Sequence, residues 1–131
     1  MRITAVEAWL VGMRLAQPYT IAYESIDQAR NVFLRLETDT GLQAFGCSAP
    51  DQAVTGENAE KVLAAAKDII VPMMKGRDPM HRAKLFADLQ KAVGPMPSAL
   101  AMVDMALYDI LGKTAGLPLY QILGGFRQRM L

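Results

Sequence analysis

The sequence predicts an α+β fold, a three-stranded antiparallel meander followed by a helical layer. Three observations predict it. Residues from Arg2 to Pro50 read as strands, with apolar and polar side chains alternating in Ile3 to Met13 and Asn31 to Thr38. Residues from Thr55 to Gly125 repeat apolar side chains at helical spacing. The strands come first and the helices after, which separates this chain from the interleaved α/β class. With 131 residues, it is long enough to bury the core of one domain.

The first strand is expected over Ile3 to Met13, with Ile3, Ala5, Trp9, Val11 and Met13 on one face and Glu7 breaking the pattern. A polar stretch containing Pro18 follows, from Gln17 to Gln28. The second strand is expected over Asn31 to Thr38, with Val32, Leu34 and Leu36 facing one side. Asp39-Thr40-Gly41 reads as a hairpin turn, because Gly41 is free to take positive φ. The third strand is expected over Leu42 to Ala49, stopped by Pro50. So small a sheet is marginal in water unless one face is covered.

The helices supply the cover. Thr55 is expected to cap the first, with Glu57 and Glu60 in its opening turns and Val62, Leu63, Ala66, Ile69 and Ile70 as its apolar stripe. Pro72 either ends that helix or starts a short new turn that Gly76 closes. Asp78-Pro79 reads as N-cap and first residue of the next helix, lined by Leu85, Phe86, Leu89 and Val93. Gly94-Pro95-Met96-Pro97 breaks the chain. The last long helix, Ser98 to Thr114, is apolar around most of its circumference and so is buried on more than one side. Gly116 is its expected C-terminal cap, and Pro118 opens a short final helix ending at Gly124-Gly125.

Composition narrows the function classes. A net charge of +1, with bases scattered among acids, makes no electrostatic case for nucleic acid or an anionic membrane. No run of about 18 apolar residues is present, so no membrane-spanning helix is expected. Glu7 interrupts the only stretch that could imitate a signal peptide. Cys47 is the single cysteine and has no internal disulfide partner, which suits a cytoplasmic home.

Several motifs occur in a fixed order. They are Asn31-Val32-Phe33-Leu34-Arg35-Leu36-Glu37-Thr38-Asp39-Thr40-Gly41, then Gly76-Arg77-Asp78-Pro79, then Ala101 to Lys113. Gly116-Leu117-Pro118-Leu119 and Leu123-Gly124-Gly125 follow. In that order and spacing, the set resembles the N-terminal capping domain of the enolase superfamily, in its muconate lactonizing/mandelate racemase branch. Pro18-Tyr19-Thr20-Ile21-Ala22, Cys47-Ser48-Ala49-Pro50-Asp51 and Thr55-Gly56 resemble the dipeptide epimerases most. Many relatives carry Glu where Cys47 stands, a departure that bears on the substrate class.

The resemblance implies a division into a capping domain, 1–125, and the start of a barrel domain, 126–131. It implies an isomerase that abstracts a proton α to a carboxylate, with Mg²⁺ as Lewis acid and Lys or His as base on the barrel. No catalytic residue and no metal ligand is then expected in this chain, which alone should be inactive. The expected partners are a barrel domain of the same protein, a small carboxylate substrate such as a dipeptide, and further copies in a homo-oligomer. Muconate-type cycloisomerase, o-succinylbenzoate synthase and N-acylamino acid racemase are alternatives within the family. A stand-alone α+β interaction module is the alternative outside it.

What the resemblance carries onto this chain is a pair of substrate-facing loops, Pro18 to Ser25 and Pro50 to Thr55. The candidate specificity residues are Tyr19, Ile21, Tyr23, Glu24, Asp51 and Val54. Tyr19, Ile21 and Tyr23 share one parity, so an extended segment aims them alike. Asp51 or Glu24 would favour a cationic substrate side chain. Other chemistry-bearing residues read as structural. Asp104 and Asp109 lie about 140° apart on a helix and cannot converge on one ion. Asp109 pairs better with Lys113 at i+4, His81 reads as solvated, and Cys47 as a small buried hydrophobe. Met73, Met74, Met102 and Met105 read as fillers of core or interface gaps.

Overall fold

A computed structural model describes residues 1–22, 24–127 and 129. Three strands, β1 (Ile3–Ile21), β2 (Glu24–Thr38) and β3 (Gln43–Ser48), form one antiparallel sheet in the order β1-β2-β3. This is the expected meander. The turn between β2 and β3 is also as expected: Gly41 has φ 80°, and the Thr38 N–H donates to the Leu42 carbonyl at 3.0 Å.

Two features of β1 depart from the sequence reading. A register shift between Ile3 and Ala5 inserts one residue, and every later side chain changes face. Val6 is therefore buried, Ala8 and Leu10 pack on the core, and Trp9 and Met13 lie on the open face. There Trp9 stacks on Phe33 with ring centroids 6.1 Å apart. The stretch expected as a loop, Gln17 to Gln28, instead extends both strands, with Tyr19 opposite Ile26 and Ile21 opposite Glu24. A second register shift, between Arg14 and Tyr19, contains Pro18, which has no N–H to donate to a ladder.

The helical half begins later than expected. Asn58, not Thr55, caps α1 (Ala59–Ala65), its side chain accepting from the Lys61 N–H at 2.9 Å. Thr55 instead donates its hydroxyl to the Asp51 carbonyl. A π-helical segment, Ala66–Ile70, joins α1 to α2 (Val71–Met74) without a break. Pro72 accounts for it: lacking an N–H, it cannot continue the i→i−4 ladder, and the Val71 N–H reaches back five residues to Ala66. Asp78-Pro79 forms a turn ahead of the next helix, and α3 (Arg82–Val93) starts after His81. The Asp78 carboxylate accepts from the Met80 N–H within that turn.

The long helix α4 (Pro97–Ala115) ends at Gly116, which takes the left-handed conformation (φ 66°), and α5 (Leu119–Ile122) follows. Val32, Leu34 and Leu36 of β2 meet Met102, Val103, Ala106 and Ile110 of α4 in one core that also holds Val62, Ile70, Met74 and Leu89. Gly46 sets how closely α4 approaches β3. A Cβ there would lie 1.9 Å from the Met102 carbonyl oxygen. Asp109 and Lys113 close the outer edge of β3, accepting from the Phe45 N–H at 2.9 Å and donating to the Gln43 carbonyl at 2.8 Å respectively. They also pair with each other at 2.8 Å, as the i+4 spacing predicts.

Gly46→Ala forces the Met102 backbone away from the sheet. The substitution is expected to destabilise the chain by at least about 2 kcal/mol in urea denaturation; an unchanged midpoint would show that α4 does not bear directly on this strand.

Candidate functional site

An open cleft of about 710 Å³ lies between the outer half of the β1–β2 hairpin and the segment 49–60. Leu15, Tyr19, Ile26, Gln28, Arg30 and Asn31 line one side; Pro50, Asp51, Gln52, Asn58 and Glu60 line the other. Two of the residues singled out in the sequence, Tyr19 and Asp51, thus face the same space from distant parts of the chain. Ile21 sits at the hairpin tip and Val54 at the loop tip, both outside the cleft lining, with Val54 79% exposed. Tyr23 and the side chain of Glu24 lie outside the described residues.

The second wall is held by its own hydrogen bonds. Asp51 Oδ1 accepts from the Ala53 N–H at 2.8 Å and the Val54 N–H at 3.2 Å. The Asp51 carbonyl accepts from the Thr55 N–H at 2.8 Å and the Thr55 hydroxyl at 3.0 Å. Across the cleft, Arg30 of β2 pairs with Glu60 of α1 at 2.6 Å. Arg30, Gln28 and Asn58 were not singled out in the sequence, and Glu60 only as an acid near a helix N-terminus, because local spacing does not show that β2 lies beside α1.

Glu57 is the buried acid of the region, 2% exposed. It was expected in the first turn of its own helix. It caps a different one: Oε2 accepts from the Ser98 N–H at 3.0 Å and Oε1 from the Ala99 N–H at 3.2 Å, at the start of α4. Met96, the residue in the N-cap position of α4, makes no side-chain cap, so those N–H groups would otherwise be orphaned. Burial pushes the Glu57 carboxyl upward, but the Ser98 and Ala99 N–H groups and the Thr55 and Ser98 hydroxyls outweigh it and hold the group below its ordinary 4.5.

The remaining chemistry-bearing residues have the structural settings expected of them, with the exception of Cys47. Asp104 pairs with Arg82 at 2.8 Å, and Arg82 lies 4.2 Å over the Tyr108 ring. His81 is exposed. Cys47, expected buried, is half-buried because it lies on the open face of the sheet, where Asn31 donates to its sulfur at 3.4 Å. Met74 and Met102 fill the core, and Met105 is 47% exposed. Among the described residues, no three His, Cys, Asp or Glu side chains gather as a metal site. The acids Glu57, Asp104 and Asp109 are instead taken up by backbone N–H groups, Arg82 and Lys113, so these residues do not fit a Mg²⁺ ion. No helix among the described residues is long and apolar enough to cross a membrane.

Residues 3–124 match the family model of the mandelate racemase/muconate lactonizing enzyme N-terminal domain. The chain is 38% identical over 130 residues to the L-Lys-D/L-Arg epimerase of Desulforapulum autotrophicum, an alignment covering 99% of this chain and 37% of that protein. The crystal structure of the N-succinyl Arg/Lys racemase of Bacillus cereus superposes with a TM-score of 0.90 at 31% identity, covering 95% of this chain and 34% of the racemase. The dipeptide epimerase of Methylococcus capsulatus, complexed with Mg and L-Arg-D-Lys, superposes with a TM-score of 0.89 at 34% identity, over 95% of this chain and 35% of that one. Fold and relatives together place the chain in the enolase superfamily. More narrowly, it belongs to the mandelate racemase/muconate lactonizing enzyme N-terminal domain family, and it spans about a third of the length of these relatives.

A carboxyl held low in the native state stabilises the fold above its unfolded value and loses that contribution as pH falls through the native one. The stability of the chain is therefore expected to fall as pH drops below about 4.5. Glu57→Gln, which keeps one acceptor and cannot ionise, should be less stable than the native chain at pH 7 by about 1–3 kcal/mol. The gap should narrow toward pH 3. Denaturation midpoints across that range check both; a constant gap would remove the carboxylate from the stability of α4.

Proposed function

We propose that this chain is the substrate-selecting cap of a Mg²⁺-dependent epimerase acting on dipeptides, with cationic dipeptides favoured. The observation that carries the reading is the pairing of Tyr19 and Asp51 across one open cleft. The names of the Desulforapulum, Bacillus and Methylococcus relatives, all referring to Lys or Arg, support the cationic preference.

In this reading the proton is moved by bases on a barrel domain of the same protein, where Mg²⁺ would stabilise the charge developing on the substrate carboxylate. The capping domain is 1–125, and 126–131 begins the barrel. The cap contributes exclusion of water and discrimination. Tyr19 gives the cleft an amphipathic wall. Asp51 supplies negative charge: Oδ1 is occupied by loop N–H groups, and among the described residues Oδ2 makes no hydrogen bond. Ile21 at the hairpin tip and Val54 at the loop tip extend the substrate-facing set, to which the sequence adds Tyr23 and Glu24. Apolar walls separate substrates by only about 1–3 kcal/mol per methylene, so the charge of Asp51 is the sharper selector. Leu117, Leu119, Tyr120, Leu123 and Phe126, exposed about α5 and beyond it, form the surface that meets the barrel. The parent enzyme is cytoplasmic and assembles as a homo-oligomer.

The reading is tested by joining this chain to the part of the Desulforapulum epimerase that it does not cover. With Mg²⁺ in D₂O, the chimera should exchange the α-proton of Lys- or Arg-containing dipeptides, and the chain alone should exchange none. Exchange by the chain alone would overturn the division of labour. Asp51→Asn in the chimera should lower kcat/KM for cationic dipeptides by roughly three- to tenfold relative to neutral ones; equal losses on both would remove Asp51 from selection.

A further inference from the structure

The segment 49–58 leaves β3 at Ser48 and enters α1 at Ala59, and its two ends return to the same turn of α4. At one end the Ser48 hydroxyl lies 3.1 Å from the Ser98 hydroxyl. At the other, Glu57 receives the Ser98 and Ala99 N–H groups at 3.0 and 3.2 Å. Closely held ends are the mark of an Ω-loop. Within the loop, Asp51, Thr55 and the Gln52 amide bond to loop neighbours and fix its shape. Those bonds do not fasten it to the rest of the molecule.

The choice of cap points the same way. Pro97 has no N–H, and Met96 leaves the Ser98 and Ala99 donors open. A polar residue at position 96 would satisfy one of them locally and leave the loop loose. A carboxylate 41 residues upstream of Ser98 receives both and joins the loop to the helix in doing so. We propose that Glu57, with Ser48 and Ser98, forms a clasp that positions the 49–58 loop, fixing Asp51 in the cleft wall and Val54 at the loop tip. Glu57 is on this account a positioning residue for substrate recognition, an assignment that rests on the reading of this loop as substrate-facing.

Residue-resolved hydrogen exchange on this chain decides it. In Glu57→Ala the amides of Ala53, Val54 and Thr55 should exchange about tenfold faster, and in Glu57→Gln by less, while Leu34 and Leu36 in β2 stay protected. Ser48→Ala, which leaves the α4 cap in place, should loosen the same amides and serves if Glu57→Ala does not fold. Unchanged loop amides, or loop and strand amides loosening by one common factor, would overturn the clasp. In the chimera described above, Glu57→Gln should raise KM for a Lys-containing dipeptide about threefold or more with kcat retained. A lower kcat with unchanged KM would overturn the positioning role. An inactive native chimera would instead overturn the dipeptide reading, and the exchange data would still decide the clasp.

Discussion

Helix α4 lies against β3 so closely that the strand has no room for a side chain at Gly46. That contact governs the rest of the molecule. It sets the depth at which Met102, Val103 and Ala106 enter the core beside Leu34 and Leu36. It brings Asp109 and Lys113 level with the free edge of β3, where they take the place of a fourth strand for the Phe45 N–H and the Gln43 carbonyl. An edge answered in this way is closed to pairing with other chains. It also fixes where the N-terminus of α4 falls, beside the chain that leaves β3, within reach of Glu57.

The cleft follows from two lengths. The β1–β2 hairpin is longer than the helical layer needs, so its outer half, past the register shift at Arg14 to Tyr19, stands beyond the core. The segment after β3 is short and bonded to itself, so it forms a compact wall facing that outer half. One wall is a projecting pair of strands and the other a fastened loop. The proposed cap role calls on both properties: a surface that reaches over a substrate, and a rigid element that holds a charge in place.

Much of this was legible in the residues. The buried parity of Val32, Leu34 and Leu36, the Gly41 turn, the left-handed stop at Gly116 and the Asp109–Lys113 pair all follow from local spacing. The failures have specific causes. An inserted residue near Thr4 reversed the face of β1, and a bulge is invisible to a strict period of two. The outer hairpin carries Pro18 and many polar residues, so it reads as a loop although its backbone pairs. Glu57 was assigned to its nearest helix, because a window of three or four residues cannot show a cap delivered across 41 positions. The Arg30–Glu60 pair is invisible for the same reason: the meeting of these two residues depends on tertiary structure alone. Tyr19 and Asp51 were found through family resemblance, and what the structure adds is that they share one cleft.

The most direct test of the cap reading is a crystal structure of the chimera, or of the parent enzyme, with a Lys-containing dipeptide bound. The account requires the substrate's cationic side chain to enter the cleft, with its ammonium within hydrogen-bond reach of Asp51 and its methylenes against Tyr19. A dipeptide that touches only residues outside this chain, with the cleft open to water, would contradict it.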